Sequence, residues 1–375
     1  MRKLLLIVHR WMGLIAGIVI LVIAVTGCVL IFENDIDRAA NASVMKVTPG
    51  GEKVPLQQVL QNVRAAYPSE TVAGMSFPQH ANHALLVSLK GTTLGVDPYT
   101  GHVLGTIDRG KGFARWVHLL HTRFLAGRPG ELIVGAFTVI TLLMAVSGVY
   151  LWWPRQIWTV KASARSWRRM NFDLHNVLGW YSAVLLVFMT VSGVMIAYED
   201  QLDPLVRKLN GSTPEATPKQ VSSTVVPGAV PISLDEAYRA AQAAVPGAFI
   251  SNINVPAPGK AVYRMSAKFP EDRTPAGRSR VAIDQYSGAT LDVVSTRAQP
   301  LGTKILNLKR SIHTGDVFGW PSQAIAFLVS LSLAGQVVTG ILIWWKPGKF
   351  GALAGNRGSQ GGSTARTAPP DASPA

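Results

Sequence analysis

Cysteine is nearly absent from this chain: Cys28 is the only one in 375 residues. That excludes an intramolecular disulfide and a thiolate metal cluster. Acidic residues are scarce too, with 21 Asp plus Glu against 36 Lys plus Arg and a net charge of +15. Four stretches lack charge altogether: residues 11–32, 132–153, 176–198 and 320–345, which are 22, 22, 23 and 26 residues long. A membrane span needs ~20 apolar residues to cross ~30 Å of hydrocarbon, so all four qualify. Four buried helices of a large soluble protein would be a poor account of runs this long and this free of charge. No G-x-G-x-x-G follows a strand-like run, so the chain has no NAD or flavin site of the dinucleotide-binding kind. No zincin or Ser-His-Asp arrangement is visible either.

The runs recur in pairs. His121 precedes Gly148 by 27 residues, and His313 precedes Gly340 by 27, at a constant offset of 192. His9 precedes Gly27 by 18 residues, and His175 precedes Gly193 by 18, at an offset of 166. Self-similarity at a fixed spacing points to a duplicated unit. The unit is span, outer segment, histidine, span.

Lys and Arg near the spans set the orientation. Arg2, Lys3 and Arg10 flank the first span, and Arg155, Lys161, Arg165, Arg168 and Arg169 lie between spans two and three. Lys346 and Lys349 follow the fourth, whereas spans one and three exit into Glu33, Asp35 and Asp37, and into Glu199, Asp200 and Asp203. Both termini are therefore expected in the cytoplasm. The expected layout is a start and first span over 1–34, an outer unit over 35–131, a second span over 132–154 and a basic loop over 155–171. A third span follows over 172–199, then a linker and second outer unit over 200–319, a fourth span over 320–346 and a disordered tail over 347–375. The basic balance suits anionic lipid; nucleic-acid binding is not expected from so short a basic loop. Val25-Thr26-Gly27-Cys28 resembles a lipoprotein processing site. The apolar run is long for a signal peptide, and Gly27 has a counterpart in Gly193, so the glycine is assigned to the helix pattern.

The outer units read as α+β. Residues 55–67 predict a helix with Leu56, Val59, Leu60 and Val63 on one face, followed by strands at 84–89, 93–97 and 102–104. In the second unit, residues 233–244 predict a helix with Ser233 as N-cap and Glu236 closing a capping box. Strands at 262–266 and 280–284 follow it. Asp97-Pro98-Tyr99-Thr100-Gly101 and Asp284-Gln285-Tyr286-Ser287-Gly288 are matching turns. Residues 210–231 read as a linker.

Helix, strands and the D-x-Y-[ST]-G turn resemble the PepSY domain. Two such units among four spans, the second and fourth ending in [ST]-G-x-x-x-W-W, resemble the PepSY-associated transmembrane family. The resemblance implies an α-helical membrane protein with four transmembrane helices in two tandem repeats and two extracytoplasmic PepSY-like domains. It implies a multi-pass protein of the bacterial inner membrane, and a likeness to haem-containing ferric-siderophore reductases that act in iron uptake.

Four of the eight histidines, His9, His121, His175 and His313, sit at repeated positions beside span ends. Imidazole binds haem iron axially, and facing helices can supply both ligands. The expectation is two b-type haems, one through His9 with His175 and one through His121 with His313. The plain alternative is four interfacial polar residues. His118, one turn before His121, could replace it, contact a propionate or donate to substrate. Gly13 and Gly179 would leave bare helix for a macrocycle. Arg10, Arg115, Arg123 and Lys309 could pair propionates, and Trp152-Trp153 and Trp344-Trp345 read as an aromatic belt. Glu33 and Glu199 read as caps on the outer ends of their spans. His80, His83 and His102 read as solvated. The functional expectation is electron transfer from an external donor, a quinol or a soluble reductase, to a ferric siderophore or another periplasmic acceptor. The competing expectation is a membrane-anchored module that binds or inhibits a periplasmic partner without catalysis.

Overall fold

A computed structural model describes residues 1–108, 110–161, 166–210, 221–225 and 228–345. The tail after residue 345, and with it Lys346 and Lys349, lies outside the described residues, as does most of the expected linker. In chain order the helices are α1 (Arg2–Leu30), α2 (Glu33–Ala40), α3 (Ala42–Met45), α4 (Leu56–Ala66), α5 (Phe113–Arg123), α6 (Gly127–Trp152), α7 (Trp167–Ala197), α8 (Glu199–Leu209), α9 (Leu234–Ala244), α10 (Leu301–Thr314) and α11 (Trp320–Trp345). The strands are β1 (Gly74–Ser76), β2 (Leu85–Ser88), β3 (Thr93–Val96), β4 (Val103–Ile107), β5 (Phe249–Asn254), β6 (Val262–Lys268), β7 (Ser279–Asp284) and β8 (Thr290–Val294).

Helices α1, α6, α7 and α11 are long and apolar enough to cross a membrane. They pack in a ring, α1 on α6, α6 on α7, α7 on α11 and α11 on α1. α1 and α7 therefore face each other across the diagonal. At one end of this bundle lies an eight-stranded sheet, and at the other the connection between α6 and α7.

The sheet order is β4-β3-β2-β1-β5-β6-β7-β8. Two antiparallel meanders meet where β1 pairs with β5, with Met75 opposite Ile253. The two outer units read from the sequence are thus halves of one sheet. Neither β1 nor β5 is among the strands expected from the sequence; β1 is three residues long and too short to show alternation. Leu85, Val87, Leu94, Ile253, Met265 and Ile283 form the core with Val59 and Val63 of α4 and Leu234 of α9. The seam is tight: a Cβ on Gly74 would lie 2.6 Å from the Ile253 carbonyl oxygen.

The two packed helices also cap one another. α4 follows Pro55 and has no side-chain cap of its own. The Asp235 carboxylate accepts from the backbone N–H groups of Leu56 and Gln57, at 2.8 and 2.9 Å. Gln57 returns the favour to α9, accepting from the Leu234 N–H at 3.2 Å. α9 has the expected Ser233–Glu236 capping box, a device worth about 1 kcal/mol. The matching turns are alike in detail. Asp97 Oδ1 accepts from Tyr99 N–H, Asp284 Oδ1 accepts from Tyr286 N–H, each at 2.8 Å, and Gly101 and Gly288 take φ of 71° and 70°. Glycine is favoured at such φ because it has no Cβ to clash.

Three local expectations change. Glu33 and Glu199 do not cap the spans; each opens the helix that follows, α2 and α8. A carboxylate complements a helix N-terminus and would oppose a C-terminus. Trp152 is buried and stacks on Trp180 of α7 at 3.8 Å, its indole N–H donating to the Ile157 carbonyl. It locks α6 to α7, while the exposed Trp153, Trp344 and Trp345 suit a belt. α1 runs unbroken through Gly27 and Cys28, as the helix assignment of that glycine expects. Part of the expected linker is stitched down, with Ser223 Oγ donating to the Ala261 carbonyl.

Candidate functional site

The bundle needs close helix packing, and small residues permit it. Each span has one Ser or Thr followed by Gly: Thr26-Gly27 on α1, Ser147-Gly148 on α6, Ser192-Gly193 on α7 and Thr339-Gly340 on α11. Each of these pairs seats one histidine from a different helix. His121 of α5 rests on Gly27, His9 of α1 on Gly148, His313 of α10 on Gly193 and His175 of α7 on Gly340. A Cβ on these glycines would stand 3.4, 3.5, 3.0 and 3.4 Å from the respective imidazole Cε1. The glycines are the floor on which the rings lie.

The hydroxyls and nearby carbonyls fix the rings by one nitrogen. His121 Nδ1 is 3.0 Å from the Ile23 carbonyl and 3.0 Å from Thr26 Oγ1. His175 Nδ1 is 3.1 Å from the Gln336 carbonyl and 3.0 Å from Thr339 Oγ1. His313 Nδ1 is 2.9 Å from the Met189 carbonyl, with Ser192 Oγ at 3.5 Å. A carbonyl only accepts, so Nδ1 bears the proton in all three. His9 Nδ1 meets Ser147 Oγ at 2.8 Å, and that hydroxyl donates its own proton to the Met144 carbonyl. Ser147 therefore accepts, and Nδ1 of His9 is the donor as well. Among the described residues no hydrogen bond engages Nε2 of any of the four. The network assigns one tautomer to all four, with the Nε2 lone pair free. Holding Nδ1–H on an acceptor is how proteins orient an imidazole that ligates a metal.

The four form two pairs across the α1–α7 diagonal. His121 and His313 face each other with ring centroids 6.2 Å apart and planes inclined by 53°. Two imidazoles on opposite sides of one metal, each with nitrogen about 2 Å away, would have centroids roughly 6 Å apart. His9 and His175 are seated at corresponding places on the other two spans, against Gly148 of α6 and Gly340 of α11. The two pairs are far apart: the 18 residues from His9 to Gly27, which seats His121, rise about 27 Å along α1 at ~1.5 Å each. Among the described residues no three His, Cys, Asp or Glu side chains gather as a metal site. Each pair can offer two nitrogens and no more.

The other expected residues fall around this frame. His118 points to Glu33, Nδ1 to Oε2 at 3.5 Å. The hydrogen bond from His118 holds the Glu33 carboxyl below the usual carboxylate range against the opposing effect of burial, and charge on His118, Arg310 and Arg115 adds to it. His118 is thus a partner of Glu33 beside the His121–His313 pair. Lys309 is held by Asp203 at 2.9 Å and Glu199 at 3.1 Å, and Arg123 lies 3.6 Å from Glu131. Neither cation is free. Arg115 on α5 and Arg310 on α10 are exposed and have no ion pair among the described residues, and Arg10 is exposed on α1. Gly13 and Gly179 are not bare: a Cβ there would meet Met144 and Gln336, at 3.0 and 3.3 Å. His80 and His83 touch edge to face at 5.1 Å on the sheet side. Burial, and then the charges of Arg38, His80 and Lys46, push the His83 imidazole below its ordinary range. His102 is exposed.

The seats themselves were missed in the sequence reading. The signal was present, since four [ST]-G pairs in four spans match four recurrent histidines in number. What the sequence does not contain is which seat takes which ring.

Fold and site define a polytopic membrane protein whose bundle holds two stacked histidine pairs under a sheet. The PepSY-associated TM region family matches residues 6–346, and the chain belongs to that family. No match to a curated protein was found.

Proposed function

We propose that the chain binds two b-type haems, one between His9 and His175 and one between His121 and His313, and passes electrons through the bundle to a ferric chelate. The observation that supports this reading is the shared tautomer of the four histidines, paired with their Nε2 lone pairs free. Two nitrogens make an incomplete site for a bare ion but suit iron already held in a plane by a macrocycle. Bound haem would supply one-electron transfer. The chain's residues do the rest: Nδ1–H donation to Ile23, Gln336, Met189 and Ser147 keeps each ligand basic and oriented, and the spans exclude water. Arg115 and Arg310, on the helices that carry His121 and His313, would be the cations to pair a haem's carboxylates there.

In this reading the bundle is a duplicated unit, and the sheet faces the periplasm of a bacterial inner membrane. The N-terminus and the α6–α7 connection face the cytoplasm, as their Lys and Arg content favours. A reporter active only in the cytoplasm, fused at Lys161, should give signal, and one at Gly105 should give none. Signal at Gly105 would overturn the orientation.

The electron donor is a quinol or a soluble reductase. A quinol gives up two electrons and two protons, and so serves two ferric ions taking one electron each. Fe(III) binds hard oxygen ligands tightly and Fe(II) far less, so one electron releases the metal with the chelator intact. The test is to reduce the purified protein with dithionite, remove the excess, and add a ferric siderophore anaerobically with an Fe(II) trap present. The expected result is reoxidation of the haem spectrum with stoichiometric trapped Fe(II). Full haem loading with no reoxidation by any ferric chelate would leave an electron carrier with another acceptor. Absence of haem would favour an anchored binding module.

A further inference from the structure

The two halves of the sheet share one strand order but differ in the connection between their second and third strands. β2 joins β3 through residues 89–92, whereas β6 joins β7 through residues 269–278. α10 is also extended. At the 192-residue offset, the start of α5 at Phe113 corresponds to Ile305, yet α10 begins at Leu301. The longer loop, residues 296–299 and the start of α10 line a half-open cavity of about 370 Å³. What packing demands is present in both halves, so this addition to one half calls for a separate explanation.

Its lining is rich in donors. Arg273, Arg278, Arg297 and Lys304 line it against only two carboxylates, Glu271 and Asp272. Both acids already have partners in or beside the loop. Glu271 pairs with Arg297 at 2.5 Å, and Asp272 Oδ2 accepts from the Phe269 N–H at 2.9 Å. Arg273, Arg278 and Lys304 have no ion pair among the described residues. Asn307 Nδ2 donates to Gln299 Oε1 at 2.8 Å, which fixes that amide and leaves the buried Gln299 Nε2 without an acceptor. Lys304 Nζ donates only to the neutral Arg297 carbonyl, at 3.4 Å. Cations without an ion pair, beside an amide donor without an acceptor, suit a ligand with several anionic oxygens. The cavity also touches the redox frame. The Arg273 guanidinium lies over the Phe318 ring at 5.3 Å, five residues after His313 in the connection from α10 to α11.

We propose that this cavity binds a polycarboxylate, and that it docks a ferric polycarboxylate chelate beside the His121–His313 pair. The docking role rests on the ferric-chelate reading above; the binding itself does not. The chelate's free carboxylates would meet Arg278 and Lys304, and Gln299 Nε2 would donate to a third oxygen. A chelate without negative charge would find no acceptor-seeking partner satisfied there.

The experiment is calorimetric titration of the full-length, haem-loaded protein in detergent with gallium(III) citrate. Gallium is not reduced under these conditions, so the readout is independent of electron delivery and of whether the bound haem is competent. Wild type should bind, and Arg278→Glu with Lys304→Glu should weaken binding roughly tenfold or more. Both side chains are exposed, so haem content and monodispersity should not change, and Arg278→Gln alone should give a smaller loss. No binding by wild type, or binding unaltered by the double reversal, would overturn the site. If metal-free citrate bound as tightly and ferric citrate failed to reoxidise the reduced protein while an uncharged ferric trihydroxamate succeeded, the docking role would be overturned. Reoxidation by ferric citrate that slows in the double variant would support it.

Discussion

His313→Ala should remove about half of the bound haem, and His175→Ala the other half, because in the proposed reading each ring would supply one of two ligands to a separate haem iron. His121→Ala should match His313→Ala, since the two rings face each other at 6.2 Å. His9→Ala should match His175→Ala. His118→Ala should retain full loading, because that ring is turned to Glu33. His80→Ala and His83→Ala should also retain it. The measurement is the haem-to-protein ratio from the pyridine haemochrome spectrum. Wild-type loading in both His175→Ala and His313→Ala would sink the assignment. Loss in His118→Ala with none in His121→Ala would transfer the role to His118.

Gly193→Leu should empty the same site as His313→Ala while leaving both histidines in place. Even a Cβ at Gly193 would sit 3.0 Å from His313 Cε1 and 3.2 Å from Thr138 Cγ2. The ring would have to move, and a packed bundle cannot absorb a leucine there at little cost. The effect should be graded. Gly148→Ala places its Cβ 3.5 Å from His9 Cε1, an ordinary contact, and should be tolerated. The hydroxyls should differ too. Ser147 is the one partner of His9 Nδ1 among the described residues, so Ser147→Ala should weaken that site by roughly tenfold or more. Thr339→Val should matter less, because His175 Nδ1 keeps the Gln336 carbonyl. Haem retention during dilution and gel filtration reads this order. Equal retention in Gly193→Leu and wild type would show that the glycine is no floor.

The spans were plain in the sequence because crossing hydrocarbon demands a property of each segment by itself, namely length without charge. α9 was plain for a similar reason: its capping box lies within residues 233–236. Strands β2, β3, β6 and β7 overlap the runs read from the sequence, since alternation and the Asp-to-Gly turns are local; the edge strand β8 was not expected. Nor were β1 and β5. Three residues at Gly74–Ser76 show no period, and they are a strand because Asn252, Ile253 and Asn254 lie beside them. α4 likewise has no cap in its own sequence and receives one from Asp235, 179 residues away.

The same division runs through the site. Four recurrent histidines at constant offsets could be counted in the sequence, and so could four [ST]-G pairs. Recurrence reports that the same local demand was met twice, and it needs no coordinates. Which ring rests on which glycine depends on the α1–α6–α7–α11 ring of packing, so His9 finds Ser147 rather than a residue of its own helix. That choice settles the tautomer, and with it the free nitrogen. His118 and Lys309 show the reverse: in sequence they look available, and in space Glu33, Asp203 and Glu199 hold them. Local chemistry and hydrophobic length are properties of a segment and could be read from it. Partner choice is settled by the approach of distant segments, because a hydrogen bond or a ring contact acts over only a few ångströms, and the folded bundle decides which groups come that close.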